Sequence, residues 1–466
     1  MGGLSWTIDP GFASPSGDDD EERSGGGGGD GGGGGGGGGG GPRLGTLVSP
    51  GAPDGDGPVH IPTPALLTYT RRGEPAHLTP DCVDLLPPEA RAFQVSLVHF
   101  MDHLGPDHVA NTPGGGRRYF GCKPTCMLAT PRDPITFDMA AKPSRDAEST
   151  FVGSPTGIKK LTVEEYMRWV RALRPDAFVA LSDEAPSWDG VAIKKTQAAT
   201  KRSEAWLTSC AEKSDGIPMF AAIQGGCDVN ERRAAAESAA ARGDEVAGYS
   251  IGSLSAGEAA GDARMALLKA AIAPLPPNKP RHVTGLGTPL EIIACVEAGV
   301  DLIDASFCHM CTQQGYALKF PTAPPQGGRS GLVDGEKKRK RGASGDDEDD
   351  EKTRKKDEDG AKGGGDDDDN MEERIVTGGD AFKINLWALS YRHDKRPVLP
   401  GCDCFTCVNH SRAYIHHLLQ CHEMTASVLL DIHNIHHYCN FFGAVRGAIR
   451  EGNFQAFATF HRETNR

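Results

Sequence analysis

The chain lacks the segments that would place it in or across a membrane or direct it out of the cell. Its 466 residues contain no apolar run of the roughly 18 residues that span a bilayer. The opening MGGLSWTIDPGF has neither a basic start followed by an apolar core nor the arginines of a transit peptide. Thirteen cysteines without such a leader indicate a reducing compartment. The sequence therefore predicts a cytoplasmic protein.

Two stretches have almost no apolar residues. Residues 18–41 are acidic and then nearly pure glycine, and residues 325–373 alternate basic and acidic runs with glycine. Neither stretch can bury enough apolar surface to offset the entropy of ordering it. We therefore predict disordered segments at 1–57 and 325–373. The folded parts are then 58–324 and 374–466.

The acidic net charge of −13 belongs mostly to these segments. Residues 1–41 hold seven acids and one arginine, for −6, and residues 336–374 hold sixteen acids and eleven bases, for −5. The remaining chain is close to neutral. Net charge thus gives no support for general nucleic-acid binding, and an RNA partner would need a local basic patch.

Short apolar runs alternate with amphipathic helical patterns from residue 90 to 307. The runs are apolar along their length, as in strands buried on both faces of a parallel sheet. Predicted strands lie at 93–98, 178–183, 219–224, 248–253, 282–287 and 301–306, and predicted helices near 161–173, 199–213, 229–241, 261–273 and 289–298. This order predicts an α/β protein with a (β/α)8 TIM barrel, and a doubly wound open sheet is the alternative.

Polar and small residues follow the predicted strands, where a barrel carries its functional groups. The pocket candidates are Asp183, Gln224, Gly225, Gly226 and Asp304, with Glu184, Ser253, Gly285 and Gly287 beside them. Carboxylates, an amide and glycines on one rim suit a polar, planar ligand such as a nucleobase. The alternative is that the glycines serve tight turns and the acids cap helices.

A cysteine motif follows the charged insertion. Cys402, Cys404 and Cys407 form C-x-C-x2-C, compact enough for one loop to surround one ion. Two long helical patterns follow, and His433 and His437 are the candidates for a fourth ligand. Four protein ligands would leave no open position, so the motif predicts a structural zinc in a C-terminal helical addition. The alternative is that the cysteines are merely buried.

The chain resembles the queuine tRNA-ribosyltransferases, also called tRNA-guanine transglycosylases. Ordered matches are SPTGIKKLTVEEYMRWVRALRPDAFVALSDE, AIQGG, YSIGSLSAGE, GLGTPLEIIACVEAGVDLIDASF and GCDCFTCVNHSRAYIHHLL with LLDIHNIHHY. The resemblance implies a TIM barrel with one structural Zn2+ per subunit, and it assigns His433 as the fourth ligand. It also implies exchange of guanine for queuine at wobble position 34 of tRNAs with GUN anticodons (Asp, Asn, His and Tyr).

The resemblance further places Asp304 on the catalytic nucleophile and Asp183 on the residue that reads the base, with Gln224, Gly225 and Gly226 near the incoming ligand. Two stretches depart from the family pattern. EARAFQ replaces D-S-G-G-F-Q, which puts Glu89 at the second aspartate, and CHMCTQQG at 308–315 lacks the two arginines that hold the anticodon loop.

These departures predict a non-catalytic accessory subunit that has no catalytic residue of its own and pairs with a catalytic chain. Its implied partners are that chain, in a heterodimer, tRNA, and queuine as a further ligand. A peripheral place at the mitochondrial outer membrane is also implied. One alternative is an active transglycosylase with Asp304 as nucleophile and Glu89 as acid/base. Another is an unrelated zinc-stabilised nucleic-acid module.

Overall fold

The computed structural model describes residues 4–12, 40–51, 57–102, 104–122, 125–135, 147–154, 156–185, 191–254, 261–322 and 379–464. Most of the glycine-rich tract and all of the charged insertion predicted at 325–373 lie outside the described residues.

The strands are β1 (Ser5–Ile8), β2 (Gly45–Ser49), β3 (Val59–Thr63), β4 (Ala65–Arg71), β5 (Glu74–Pro75), β6 (Ala92–Ser96), β7 (Cys126–Thr130), β8 (Ser149–Ser154), β9 (Gly157–Thr162), β10 (Ala177–Val179), β11 (Met219–Ile223), β12 (Gly248–Ile251), β13 (Arg281–Val283), β14 (Leu302–Asp304), β15 (Tyr316–Leu318) and β16 (Lys383–Asn385).

The α-helices are α1 (Pro80–Val83), α2 (Pro106–Ala110), α3 (Gly115–Phe120), α4 (Val163–Leu173), α5 (Ile193–Glu212), α6 (Val229–Ala240), α7 (Asp262–Ile272), α8 (Pro289–Ala298), α9 (Ser306–Gln313), α10 (Phe405–Asn409), α11 (Arg412–Gln420), α12 (Met424–Arg450) and α13 (Phe454–Thr464).

Eight parallel strands close into a barrel. Their order is β4, β6, β7, β10, β11, β12, β13 and β14. The ring closes where β14 pairs in parallel with β4, which sets Asp304 opposite Leu67. Closure confirms the predicted barrel and excludes the open doubly wound sheet.

Thr162 and Thr288 begin α4 and α8 with capping boxes completed by Glu165 and Glu291.

Two short stretches of the segment 1–57, which composition predicts to be disordered, form strands in the structure. β2 pairs antiparallel with β1 on one side and with β3 on the other, forming a small three-stranded sheet. Leu47 and Ile61 from this sheet are buried in the same apolar cluster as barrel residues, with Trp6 packed against it. Alternation thus buries one face of β2 and partly buries one face of β1. The sequence-based prediction of disorder rested on the composition of the glycine tract between these strands.

The chain after the insertion builds a helical layer against the barrel. β16 pairs antiparallel with β15, so the two sides of the insertion meet in one hairpin-like pair. From α12, the Asn434 side chain accepts from the Leu318 backbone N–H at 2.9 Å and donates to the Tyr316 carbonyl at 3.1 Å. Among the helices of the described residues, none is long and apolar enough to cross a membrane.

His282 lies inside the barrel on β13. Its Nδ1 is 3.0 Å from the Ser250 hydroxyl, and its Nε2 is 3.1 Å from Gln94 Oε1. The side chain is completely buried. Burial lowers the pKa of His282 to about 3. The ring is therefore neutral in the folded protein near pH 7.

We expect acid to destabilise the fold through His282. Its pKa falls from 6.5 to about 3 on folding, so between these values the unfolded chain binds a proton that the folded chain excludes. The stabilisation is present above pH 6.5 and is lost as the pH falls towards about 3. A single histidine with this pKa change lowers the free energy of unfolding by about 2 kcal/mol between about pH 7 and pH 5.

Denaturant unfolding of the wild type and His282→Gln at these two pH values measures this loss. The exposed His108 supplies a matched control, His108→Gln. The acid-induced loss should shrink in His282→Gln and stay unchanged in His108→Gln. Equal losses in all three proteins would contradict a role for His282.

Candidate functional site

Asp304 ends β14 at the carboxyl end of the barrel. Its side chain is buried, and both oxygens accept backbone hydrogen bonds. Oδ2 accepts from the Gly285 N–H at 2.5 Å, and Oδ1 from the Ser306 N–H at 2.8 Å. Burial raises the pKa of Asp304. The predicted nucleophile position is thus bound by the main chain of this protein.

A second carboxylate, Asp133, lies near Asp304. Its Oδ1 accepts from the Tyr69 hydroxyl at 3.1 Å, and its Oδ2 from His99 Nε2 at 3.0 Å. The negative charge of Asp133 raises the pKa of Asp304 further, in the same direction as burial. Sequence reasoning did not name Asp133. The available signal was an aspartate three residues after the apolar run CMLAT, which forms β7.

Glu89 lies at the other end of the barrel. It sits in a 3-10 turn directly before β6, and its carboxylate accepts from Arg446 at 3.1 Å. The same guanidinium donates to the carbonyl of Pro64, the residue before β4. Because the barrel strands are parallel, their amino and carboxyl ends open on opposite faces. The interpretation that Glu89 could act as acid/base beside Asp304 is therefore wrong, and Asp133 is the carboxylate that lies near it.

Asp183 lies just beyond β10, at the predicted rim, and is 1% exposed. Its Oδ2 accepts from Arg202 Nε at 2.8 Å and from Arg202 Nη2 at 2.5 Å. Its Oδ1 accepts from the Thr150 hydroxyl at 3.2 Å. An arginine that donates twice to one carboxylate makes a strong, charge-assisted contact. The carboxylate predicted to read a base is thus bound by a guanidinium from α5.

Gln224 follows β11 and is also buried. Its Nε2 donates to the Ser182 hydroxyl at 3.0 Å, and its Oε1 accepts from the Ser253 hydroxyl at 2.9 Å. Ser253 has a left-handed backbone with φ of 55°, a conformation that favours glycine. The structure therefore brings Asp183, Gln224 and Ser253 to one edge, where side chains of the protein fill their hydrogen-bonding positions.

Gly225 and Gly226 bend the chain around a buried arginine. Gly225 has φ of +146°, and a Cβ there would lie 2.6 Å from the backbone nitrogen of Arg232. The Arg232 guanidinium donates to the carbonyls of Gly226 at 2.7 Å, Gly252 at 3.0 Å and Ser253 at 3.0 Å. These contacts support the turn-forming alternative for the two glycines.

A cavity of about 700 Å3 lies elsewhere. Ile217, Met219, Arg242 and Ala247 are among the residues that line it. They precede or begin β11 and β12, so the cavity opens at the amino end of the barrel. None of the sequence-predicted site residues lines it.

The cysteine motif comes together with one histidine. Nδ1 of His433 lies 3.9 Å from the sulfur of Cys402, 3.6 Å from that of Cys404 and 3.3 Å from that of Cys407. A tetrahedral zinc with ordinary bond lengths separates a sulfur from a nitrogen ligand by about 3.5 Å. The four residues could therefore hold one metal ion.

A hydrogen bond orients the histidine. Nε2 of His433 donates to the Leu318 carbonyl at 2.8 Å, which leaves the Nδ1 lone pair facing the sulfurs. His437, the other histidine that the sequence allowed, donates from Nε2 to the Phe320 carbonyl at 2.9 Å. It lies outside the cysteine cluster. Of the two candidates, the structure brings His433 to the cysteines.

Comparison with known proteins gives a consistent result. A family model described as "Queuine tRNA-ribosyltransferase" matches residues 39–466. "Queuine tRNA-ribosyltransferase accessory subunit 2" of Xenopus tropicalis is 30% identical over 427 residues, covering 90% of this chain and 96% of that protein. The protein of the same name from Gallus gallus is 31% identical, covering 88% and 92%. The one from Homo sapiens is 29% identical, covering 91% and 97%.

Proposed function

Because the chain belongs to the queuine tRNA-ribosyltransferase family, we propose that it is the non-catalytic accessory subunit of a heterodimer. Its catalytic partner would exchange guanine for queuine at the wobble position of tRNAs with GUN anticodons. Relatives that match nearly the whole chain carry the name accessory subunit 2. This chain would contribute the folded partner surface and would help to position tRNA.

The observation that carries the proposal is the state of Asp183. Reading a base requires a carboxylate whose oxygens are free to accept from the ligand, and Asp183 already accepts from Arg202 and Thr150. Asp304 is likewise bound by two backbone N–H groups. A carboxylate engaged in this way must first break charge-assisted bonds before it can serve a substrate.

The segment after Asp304 also supports a non-catalytic role. Residues 308–315 form most of α9 and the turn that follows, and they contain no arginine or lysine. Phosphate groups of RNA are held chiefly by such cations. The segment therefore offers the tRNA phosphates no cationic side chain beside Asp304. The catalytic partner would make the contacts with the anticodon loop.

We further propose that Cys402, Cys404, Cys407 and His433 hold one structural Zn2+. The separations of the sulfurs from Nδ1 suit a tetrahedral ion, and the Leu318 carbonyl selects the tautomer that can bind it. With four protein ligands, zinc would cross-link α10 and the loop before it to α12 and would take no part in base exchange. The cytoplasm, with a peripheral place at the mitochondrial outer membrane, stays a prediction.

Guanine exchange into a wobble-G tRNA tests the proposed role. The rate is measured with this chain alone, with a catalytic partner alone and with the two mixed. We expect the mixture to exchange guanine rapidly and this chain alone to show no exchange. In the mixture, Asp304→Asn in this chain should leave the rate unchanged, whereas loss of a working nucleophile would lower it by roughly 10^4-fold or more.

Asp133→Asn provides a second variant, because Asp133 is the carboxylate near Asp304. Exchange by this chain alone that is abolished by Asp304→Asn and reduced by Asp133→Asn would overturn the accessory role. A mixture no faster than the catalytic partner alone would overturn the heterodimer. Arg168→Ala, on the exposed face of α4, serves as the control for an unrelated change.

A further inference from the structure

We propose that His77, His309 and Asp431 form a second divalent metal site, separate from the cysteine cluster. One ligand atom from each residue lies within 4.8 Å of the other two. His77 comes from the loop between β5 and α1, His309 from α9 and Asp431 from α12. Two imidazoles and one carboxylate are a recurrent ligand set for zinc and other first-row transition metals.

The two histidines face each other in an arrangement that leaves nitrogen atoms available. Their rings stack with centroids 5.3 Å apart and an angle of 18° between planes. Nε2 of His77 is buried and has no hydrogen-bond partner among the described residues. Burial lowers the pKa of both rings, that of His309 to about 4, so both are neutral near pH 7. A neutral imidazole is the form that binds a metal.

The carboxylate of the third ligand, Asp431, is buried. Asp431 is 3% exposed, and its side chain forms a hydrogen bond with that of Thr312. Among the described residues, no lysine or arginine forms an ion pair with Asp431. Burying a carboxylate without a counter-charge is costly, and a divalent ion between Asp431 and the two imidazoles would remove that cost.

The second site is distinct from the cysteine cluster because of the geometry of α12. Asp431 and His433 are two residues apart, and residues two apart on an α-helix point about 200° away from each other. The helix thus presents His433 to the cysteines and Asp431 to α9. An ion at each site would fix α12 both to the cysteine loop and to the carboxyl rim of the barrel. His309 also packs against Tyr69, at 4.7 Å between centroids, so the ion would lie next to the Asp133 network.

Three protein ligands leave room for at least one more. His77 is half-buried, so water can complete the coordination on its side. On binding, the three ligand atoms should draw together to about 3.4 Å, the separation for bond lengths of 2.0–2.1 Å in a tetrahedron. The donor set favours Zn2+, Co2+ or another borderline ion over Ca2+ and Mg2+, which prefer oxygen ligands.

Metal counting on the full-length chain tests the proposal. Protein loaded with Zn2+ and passed through gel filtration is analysed by mass spectrometry of the metal. We expect two equivalents in the wild type and one in His309→Ala, in His77→Ala and in Asp431→Asn. His108→Ala is the matched control, because His108 is exposed on α2 and belongs to none of the possible metal-ligand groups among the described residues. It should retain two equivalents.

Cobalt distinguishes which site each ion occupies. One Co2+ equivalent should give the thiolate charge-transfer absorption of the cysteine cluster, and the second should add absorption without a thiolate band. His77→Ala keeps the test decisive if a buried variant fails to fold, since His77 is only half-buried. A single equivalent in the wild type would overturn the proposal. So would two equivalents in folded His77→Ala, or loss of the second equivalent in His108→Ala alone.

Discussion

Cys404→Ser is expected to lose the metal of the cysteine cluster and to unfold the layer that α10, α11 and α12 form. Cys404 is 1% exposed, so a hydroxyl in place of its thiol would be buried without the metal that the thiolate would bind. Binding of a structural zinc supplies about 10–16 kcal/mol that serves as folding free energy. Removing one ligand should therefore cost several kcal/mol, far more than an ordinary surface substitution. Metal content and thermal unfolding measure the two effects together.

Cys421→Ser is the matched control. Cys421 follows α11 directly and is exposed, so its replacement should change neither metal content nor the unfolding temperature. A chelator added to the wild type should reproduce the effect of Cys404→Ser, since both remove the same ion. Cys404→Ser that keeps the full metal content and unfolds at the wild-type temperature would contradict a structural zinc.

Local spacing made the cysteine cluster predictable from the sequence. Three cysteines within six positions must lie close together in any fold, because so short a loop cannot separate them. The fourth ligand depends on how α12 packs against β15, which no local pattern specifies. Residue spacing left both His433 and His437 open, and only the resemblance to the family selected His433. In the structure, His433 donates to the Leu318 carbonyl and His437 donates to the Phe320 carbonyl.

The barrel was also predictable from local patterns, but two of its first three strands, β4 and β7, were not. Strands buried on both faces read as apolar runs, and the predicted strands that become β10 to β14 were of this kind. β4 and β7 were not singled out. β4 begins after Pro64, and the tracts around β7 are rich in polar and small residues. The resemblance matched EARAFQ to D-S-G-G-F-Q, whereas the structure places Glu89 in the turn before β6, at the amino end of the barrel.

Contacts between residues far apart in the sequence explain why the partners of the site carboxylates were not predicted. Arg202 lies 19 residues after Asp183 along the chain and reaches it only because α5 packs beside the rim. Asp133 meets His99 across 34 residues. Composition and periodicity report which residues face a core, but they do not report which buried polar side chains meet. The identity of the rim was thus predictable, while the occupation of Asp183 by a guanidinium was not.

Arg43→Ala is expected to destabilise the protein by about 3–5 kcal/mol, because it leaves a buried carboxylate without its partner. Arg43 is 4% exposed and Asp301 is 0% exposed. Nε of Arg43 donates to Asp301 at 2.8 Å, and its terminal nitrogens donate to the carbonyls of Pro277 at 2.7 Å and Lys279 at 2.9 Å. The guanidinium also lies 4.8 Å from the centre of the Trp6 ring. Denaturant unfolding of the full-length chain measures the loss.

The same substitution tests whether the segment before residue 57 belongs to the fold. Arg43 lies in the part that composition assigned to disorder, and a residue there could be removed at no cost if that assignment held. Arg168→Ala is the control, because Arg168 pairs with Asp107 on the surface and such pairs contribute about 0–1 kcal/mol. Equal small effects of Arg43→Ala and Arg168→Ala would show that the N-terminal strands add nothing to stability. A large effect confined to Arg43→Ala would mean that a segment next to a glycine tract anchors the amino end of the barrel through one buried ion pair.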